Sequence, residues 1–323
     1  MISCILWAKN FQWQKICFHC GSNHTIKKGR ENGHQRWFCK DCHRYFIGRH
    51  RLTSEEVNHA YLKGNLTVSD LAREFGVSRS TIHRKLNHVY EESLPHKTAR
   101  SVVLLMDATY WGRNFGIVIM KDSIVGDVLW YKFISKKETI ADYKEGVEWL
   151  EANGYTIVAV VCDGLKGLRA IMTGYKFQLC QFHQVMSIKT KLTMHPKLEA
   201  SKELLSLSRM LCHTDKDSFV GAFEAWENKW DSFLRERAED ASGKSHYIHK
   251  ELRSAYLSLK RNMPWLWTWY DYPELNIPNT NNALESLNSD LKAKLNLHKG
   301  ISKEHRKVDL WVILRGGIGL NPL

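Results

Sequence analysis

The sequence predicts an α/β protein whose main sheet is preceded by two small basic modules and interrupted by a helical segment. Three observations predict this class. Two Cys-x-x-Cys pairs lie near the start of the chain, and three short helical patterns follow them. From residue 101 onward, long apolar runs alternate with amphipathic stretches, which is the pattern of strands and covering helices. With 323 residues, 43% of them hydrophobic, the chain can bury two or three cores.

Positive charge is concentrated in the first third of the chain. The net charge is +13, and residues 1–100 alone contain 17 Lys and Arg against 8 Asp and Glu. Such a local surplus favours a polyanionic partner, above all nucleic acid. Binding to a membrane surface is the rival interpretation. No long basic amphipathic helix supports it, and no apolar run reaches the roughly 18 residues of a membrane span.

The N-terminal stretch "MISCILWAKNFQWQ" has neither a basic n-region nor a small-residue cleavage site, so no signal peptide is expected. The protein is therefore expected in the cytoplasm, where its eight cysteines would stay reduced.

Residues 1–50 are predicted to form a zinc ribbon. The two Cys-x-x-Cys pairs stand eighteen residues apart, and each can supply two thiolates to one tetrahedral ion. The ligands are Cys17, Cys20, Cys39 and Cys42. Four protein ligands leave no open position, so the single zinc ion would be structural. The neighbouring histidines are possible substitute ligands, namely His19, His24, His34 and His43.

Residues 51–92 are predicted to form a helix-turn-helix domain. Ser54 is expected to cap a helix that ends near Gly64, Ser69 to open a second that Gly76 ends, and Ser78 to cap a third. The exposed start of the third helix would meet DNA bases and phosphates. Its candidate DNA-binding residues are Arg79, Ser80, His83, Arg84 and Lys85. A plain three-helix bundle with a basic face is the alternative. Residues 93–100 are polar and are predicted to be a linker.

From residue 101 the apolar runs predict the order β-β-β-α-β-α-β. "SVVLLMD", "FGIVIMKD" and "VGDVLWYKFI" form an antiparallel meander, and a helix follows that Asn153-Gly154 ends. "YTIVAVVCDG", a short helix and the strand "FQLCQFH" complete the set. In an RNase H-like fold the first and fourth strands are neighbours, so Asp107 and Asp163 at their ends would lie together. Two adjacent carboxylates repel unless a cation lies between them, which points to a divalent metal.

A third acid would complete such a site. Residues 277–295 predict a helix with the apolar stripe Leu284, Leu287, Leu291 and Leu295. Its adjoining polar face consists of Asn281, Glu285, Asn288 and Lys292. Glu285 is the candidate ligand. Asn282-x-x-Glu285 also fits a capping box, so a purely local role for Glu285 is the alternative.

These segments resemble the DDE transposases of bacterial insertion sequences, of the Mutator-like type, over about residues 101–300. The motifs that carry the resemblance are "LLMDATYW", "VVCDGLKGL", "CQFH" and "NTNNALESLNSDLK". The resemblance implies an RNase H-like core in two parts, 101–186 and 276–323, separated by a helical insertion at 187–275. It also implies that Asp107, Asp163 and Glu285 bind catalytic metal, with Cys180 and His183 near the active site.

The chemistry implied is cleavage and joining of DNA strands. Two Mg²⁺ about 3.5–4 Å apart would activate the attacking water or 3′-hydroxyl and stabilise the leaving oxygen. The partners would be the terminal inverted repeats of the element and its target DNA, bound by a homo-oligomer assembled on DNA at the nucleoid. A non-catalytic DNA-binding regulator derived from a transposase, and a nuclease without joining activity, are the alternatives.

The insertion contains two groups of tryptophans. Phe219, Phe223, Trp226 and Trp230 follow helical spacing and are expected to form a packing stripe. Trp265, Trp267 and Trp269 alternate, so at least one of these three is expected near the surface, where it could stack on an unpaired base.

Overall fold

The computed structural model describes residues 16–17, 19–31, 34–47, 52–64, 66–86, 98–297 and 302–314. The chain divides into two compact units, Met1–Val57 and Asn58–Leu323. Residues 93–97 of the predicted linker lie outside the described residues.

The first unit contains a three-stranded antiparallel sheet in the order β1-β2-β3. The strands are β1 (Thr25–Glu31), β2 (His34–Cys39) and β3 (Tyr45–Ile47). The alternating "HQRWFC" segment is strand β2, as predicted. Cys17 and Cys20 precede β1, Cys39 ends β2, and Cys42 lies in the turn before β3. The sheet therefore brings the two distant cysteine pairs to one end of this unit.

Three short helices follow: α1 (Ser54–Gly64), which contains the boundary between the units, α2 (Val68–Glu74) and α3 (Arg79–Leu86). Gly76 ends α2 with a φ of +62°, a conformation that glycine adopts without strain. Ser78 caps α3, because its Oγ accepts the backbone N–H of Thr81 at 3.2 Å. Both features are as predicted.

The predicted caps of the first two helices are wrong. Thr53, not Ser54, exchanges hydrogen bonds with Glu56, and Thr67, not Ser69, does so with Asp70. A capping box needs an acid three residues after the hydroxyl, and only the two threonines have one.

The second unit is built on a five-stranded mixed sheet in the order β6-β5-β4-β7-β8. Its elements are β4 (Ser101–Tyr110), β5 (Gly116–Asp122), β6 (Val128–Ile134), α4 (Ile140–Ala152), β7 (Thr156–Cys162), α5 (Leu168–Ile171) and β8 (Lys176–Leu179). β4, β5 and β6 form the predicted antiparallel meander, whereas β7 runs parallel to β4 and to β8. The α/β class and the element order are confirmed, and the first and fourth of these strands are neighbours.

Helix α4 packs on one face of this sheet. Tyr143 and Leu150 of α4 share a buried cluster with alternate residues of β4, which are Val102, Leu104 and Met106. Successive side chains of a strand point to opposite faces. Asp107 therefore projects from the other face of β4.

The sequence predicted that β4 ends at Asp107, but the strand continues to Tyr110. Residues 107–110 remain paired with β5, whereas the pairing with β7 ends at Leu105 and Val161. The run of apolar residues ends before Asp107, but the strand continues because its backbone remains hydrogen-bonded to β5. Asp107 thus lies in the part of β4 that is paired only with β5, beyond the last residue paired with β7.

The segment "FQLCQFH" is not one strand, contrary to the prediction. β8 ends at Leu179, Cys180 is the residue before α6 (Gln181–Leu192), and His183 lies in the first turn of that helix. Gln178 and Gln181 are fully buried, and both donate hydrogen bonds to the carbonyl oxygen of Leu266. These bonds hold the strand-to-helix junction against the helices that follow.

Those helices are α7 (Glu199–Met210), α8 (Lys216–Arg235), α9 (Lys250–Leu266) and α10 (Thr268–Asp271), with a 3-10 turn at Pro273–Leu275. A small hairpin between α8 and α9, β9 (Arg237–Glu239) with β10 (Ser245–Tyr247), was not predicted. The helices bury their own apolar cluster, which contains the predicted packing stripe of Phe219, Phe223 and Trp226, with Trp230 against it.

The second tryptophan group is partly exposed, as expected for at least one of its members, although all three side chains contact one core. Trp267 is fully buried, and Trp265 and Trp269 are half-buried against the same cluster. The expectation assumed one continuous helix. In the structure α9 ends at Leu266 and α10 begins at Thr268, and this break lets alternating residues face one core.

The chain continues into α11 (Asn282–Leu297) and α12 (Lys303–Leu314). The predicted stripe of α11 is buried: Leu284, Leu287, Leu291 and Leu295. α11 packs against β4 and α12. Within the described residues, no helix combines the length and the apolar composition needed to cross a bilayer.

Candidate functional site

The first unit contains a group of four thiols. The Sγ atoms of Cys17, Cys20, Cys39 and Cys42 all lie within 4.8 Å of one another. Cys17 and Cys42 are 3.6 Å apart, and Cys20 and Cys39 are 3.5 Å apart. Sulfurs bound tetrahedrally to one zinc at about 2.3 Å would be about 3.8 Å apart. The four cysteines can therefore hold one zinc ion with little movement.

Local hydrogen bonds favour a thiolate in this group. The backbone N–H of Cys42, and then that of Asp41, lowers the pKa of Cys39 to about 6. Within the described part of this unit, no histidine joins the four sulfurs, and His24 instead contacts Asp41 at 3.3 Å. The buried apolar cluster of the unit is small, consisting of Cys17, Cys39 and Phe46. So small a core is typical of modules that a metal stabilises.

The start of α3 presents the predicted DNA-binding side chains. Ile82 and Leu86 are buried, whereas Arg79, Ser80, His83 and Arg84 are exposed and Lys85 is half-buried. The helix thus separates a packing face from a basic face.

Asp107 and Asp163 reach the same edge of the second unit's sheet. Asp107 lies on β4 just past the end of its pairing with β7, and Asp163 is the first residue after β7. Asp163 is half-buried, and its Oδ1 accepts the backbone N–H of Leu165 at 3.1 Å, which closes a local turn.

Two asparagines fix α11 against β4. Asn281 is fully buried, and its Nδ2 donates to the carbonyl oxygen of Met106 at 3.1 Å. Asn288 is 6% exposed, and its Nδ2 donates to Oδ2 of Asp107 at 2.8 Å. Glu285 lies between them in the helix, four residues after one and three before the other, so it faces the same strand.

The capping alternative for Glu285 is not supported. α11 begins at Asn282, and the carbonyl oxygen of Asn281 accepts the N–H of Glu285 at 3.0 Å. Asn281 is therefore the cap residue, and Asn282 is already inside the helix. Oε1 of Glu285 is buried and accepts no hydrogen bond among the described residues. It faces Nδ1 of His183 at 3.6 Å.

The charge around Asp107 is unbalanced. The pKa of Asp107 is raised to about 6 in total: burial has the largest effect, His183 and the backbone N–H of Ala108 lower the pKa, and the negative charges of Asp163 and Glu285 raise it. Neighbouring carboxylates repel one another, which favours a cation between them.

His183 partly compensates for these charges. Its interaction with Cys180 raises its pKa to about 9, and Glu285 and Asp107 add to this effect against the opposing effect of burial. Within the described chain, the oxygens of Asp107, Asp163 and Glu285 do not all come within 4.8 Å of one another. The second group that does meet this distance is Cys180, His183 and Glu285.

The sequence analysis missed a fourth carboxylate. Burial, and then the charges of Asp163 and Asp142, raise the pKa of Glu138. Its backbone N–H donates to the hydroxyl of Tyr110 at 2.8 Å, and its Oε2 has no hydrogen-bond partner in the described chain. Glu138 stands in the charged stretch "KKET", where nothing in the sequence distinguishes it from a solvated residue.

One tryptophan of the second group, Trp265, is covered by an arginine. The guanidinium of Arg169, on α5, lies 3.4 Å from the ring centroid of Trp265. This arginine covers the ring, so the ring is not an open stacking surface in this conformation.

No protein-family model matches the chain, and no curated protein matches it. Among solved structures, the Drosophila P element transposase strand transfer complex is 12% identical, with 84% of this chain and 93% of that chain covered and a TM-score of 0.38. The simian T-cell lymphotropic virus intasome in complex with PP2A regulatory subunit B56 gamma is 10% identical, with 49% and 69% covered and a TM-score of 0.20. Neither TM-score reaches 0.5, so neither likeness assigns a fold or a function to this chain.

Proposed function

We propose that this protein is a DNA transposase in which an RNase H-like core, with a helical insertion at 187–275, cleaves and joins DNA strands by metal-dependent phosphoryl transfer. One observation carries the proposal. Three distant segments each bring a carboxylate to this region, namely Asp107 on β4, Asp163 after β7 and Glu285 on α11, and the negative charges of the latter two contribute, after burial, to the raised pKa of Asp107.

These three carboxylates would hold two Mg²⁺, and the buried, unpartnered Oε1 of Glu285 fits such a role. Bound Mg²⁺ would supply Lewis-acid activation of the attacking oxygen and stabilise the leaving one. The chain's own contribution is orientation. Asn288 donates to Oδ2 of Asp107 and so orients this carboxylate, and Asn281 fixes the start of α11 against the carbonyl oxygen of Met106 on β4.

The modules before the core would bind the DNA. A zinc ribbon at residues 1–50 would use one structural zinc, and a helix-turn-helix at 51–92 would place α3 in the major groove. Exposed Arg79 and Arg84 would contact phosphates or guanine edges, with Ser80, His83 and Lys85 beside them. The proposed partners are double-stranded element ends and target DNA, bound by a homo-oligomer.

The test uses the full chain, Mg²⁺ and a labelled duplex that carries the DNA flanking its own gene. Nicks at the element ends followed by joined products are expected, and the Asp107→Asn protein should bind the duplex without cutting it. Nicks without any joined product would replace the proposal with the nuclease alternative. Binding without nicks in Mg²⁺ or Mn²⁺ would replace it with the regulator alternative.

A further inference from the structure

A second group of metal-ligating side chains lies beside the proposed catalytic carboxylates. Cys180 Sγ, a ring nitrogen of His183 and a carboxylate oxygen of Glu285 all lie within 4.8 Å of one another. Cys180 is fully buried at the end of β8, His183 is in the first turn of α6, and Glu285 is in the first turn of α11. Three secondary-structure elements therefore meet at this point.

The separation of two of these atoms fits two ligands of one ion better than a hydrogen bond. Nδ1 of His183 and Oε1 of Glu285 are 3.6 Å apart, beyond hydrogen-bond range. Ligands held tetrahedrally at zinc distances of about 2.0–2.1 Å would be about 3.4 Å apart. Both atoms are buried, and neither has a hydrogen-bond partner among the described residues. Buried polar atoms normally have a hydrogen-bond partner or a bound ion, so a bound ion between these two atoms would account for their lack of partners.

The surroundings of Cys180 also suit a metal-bound thiolate. The backbone N–H of Asn281 donates to its Sγ at 3.3 Å. An N–H aimed at sulfur stabilises the negative charge of the thiolate. The backbone N–H of Cys180 donates to the carbonyl oxygen of Cys162 at 2.8 Å, so the thiol is held between two fixed backbone segments.

We infer that Cys180, His183 and Glu285 form a binding site for one soft divalent cation, with Zn²⁺ as the expected ion and a fourth position left for water. Thiolate and imidazole ligands select zinc, whereas Mg²⁺ prefers oxygen ligands.

Glu285 would then belong to two sites, and this consequence rests on the proposed function. A carboxylate that ligates zinc beside Cys180 is withdrawn from the Mg²⁺ site with Asp107. Zinc binding and Mg²⁺-supported cleavage are therefore expected to exclude each other.

The test counts bound metal in the absence of DNA. The full chain, stripped of metal, reloaded with Zn²⁺ or Co²⁺ and freed of excess, should retain two ions per chain, one in the Cys17–Cys42 group and one here. Cys180→Ser and His183→Gln should each lose one ion. Cys212→Ser is the matched control, because it removes a half-buried thiol outside the group, and it should keep both ions. Loading with Co²⁺ adds a spectroscopic signature, since Cys180→Ser should lose part of the thiolate-to-cobalt absorption.

Wild-type protein that retains one ion would overturn the inference, as would two ions in a folded His183→Gln protein. Having two variants covers the case in which Cys180→Ser does not fold. The proposed function fails separately, because cleavage is measured in Mg²⁺ on protein that holds zinc only in the Cys17–Cys42 group. No cleavage by that protein, with two ions retained after zinc loading, would leave this site intact and remove the transposase. Cleavage by that protein, with one ion retained after zinc loading, would do the reverse.

Discussion

Replacing Asn288 by alanine should weaken binding of the proposed catalytic Mg²⁺ while the fold survives. Nδ2 of Asn288 donates to Oδ2 of Asp107 at 2.8 Å, and the side chain is almost fully buried. Without this donor the carboxylate is free to rotate and loses a bond that favours its charged form. The acidic limb of the pH–rate profile should therefore move to higher pH, because Asp107 must be ionised to bind metal.

The magnitude follows from the kind of bond. A hydrogen bond to a charged group contributes about 1.5–3 kcal/mol, and about 1.4 kcal/mol corresponds to a tenfold change in an equilibrium constant. Metal affinity should therefore fall by roughly 10- to 150-fold, which agrees with the 10- to 100-fold cost typical of residues that orient metal ligands.

Calorimetric titration of the full chain with Mg²⁺, and the Mg²⁺ concentration that half-saturates cleavage, would measure the effect. Asn288→Leu fills the same space without a donor and should behave like Asn288→Ala. Ser289→Ala, an exposed neighbour on the same helix, is the control and should change nothing. Wild-type Mg²⁺ affinity in the leucine variant would refute the orienting role, since only packing would then remain.

Conservative replacement of any of the three proposed metal-binding carboxylates should lower the rate of cleavage by more than the roughly 100-fold loss typical of residues that only orient metal ligands. DNA binding should remain intact. The variants are Asp107→Asn, Asp163→Asn and Glu285→Gln, and near-wild-type cleavage in one would remove that residue from the site. Cys39→Ser should unfold the proposed zinc ribbon and lower the zinc content by one ion, as elemental analysis would detect. Burial raises the pKa of Asp309 to about 7. Between about pH 4 and pH 7 the folded state therefore keeps a proton on Asp309 that the unfolded state releases. The free energy of unfolding should fall by on the order of 4 kcal/mol over this range. Asp309→Asn should flatten this dependence in urea denaturation, and an unchanged slope would contradict the assignment. Trp265→Ala should reduce cleavage or joining more than stability if this ring contacts DNA once Arg169 moves; a loss of activity proportional to the loss of stability would indicate packing alone.

The strands and helices of the core could be predicted from sequence because each depends on the pattern of residues within its own segment. Apolar runs of six or seven residues predicted β4, β5, β6 and β7, and leucine spacing predicted α11. The errors at helix starts were also local: the acids at Glu56 and Asp70 select the threonine three residues earlier, a signal that was present in the sequence.

The candidate site around Asp107 could be predicted less completely, because its geometry depends on contacts between segments that are distant in the sequence. The apolar run ends at Asp107, but whether the strand ends there depends on β5, which the run itself does not reveal. The approach of Glu285 to His183 depends on how α6 and α11 pack, across about a hundred residues of helical insertion. Glu138 was missed for the same reason, since only the fold brings it near Asp163.

The linear order of these parts has a consequence during synthesis on the ribosome. The four-cysteine group and α3 are complete by Leu86, whereas α11, which supplies Glu285 and its anchor Asn288, emerges about 200 residues later. At translation speeds of roughly 5–20 residues per second, this gap lasts about 10–40 s. If the protein has the proposed function, a nascent chain would fold its basic N-terminal modules and bind nearby nucleic acid before it is able to cut. Under the proposed function, every chain that terminates prematurely before α11 would stay in that state and compete with the full-length protein for the same DNA.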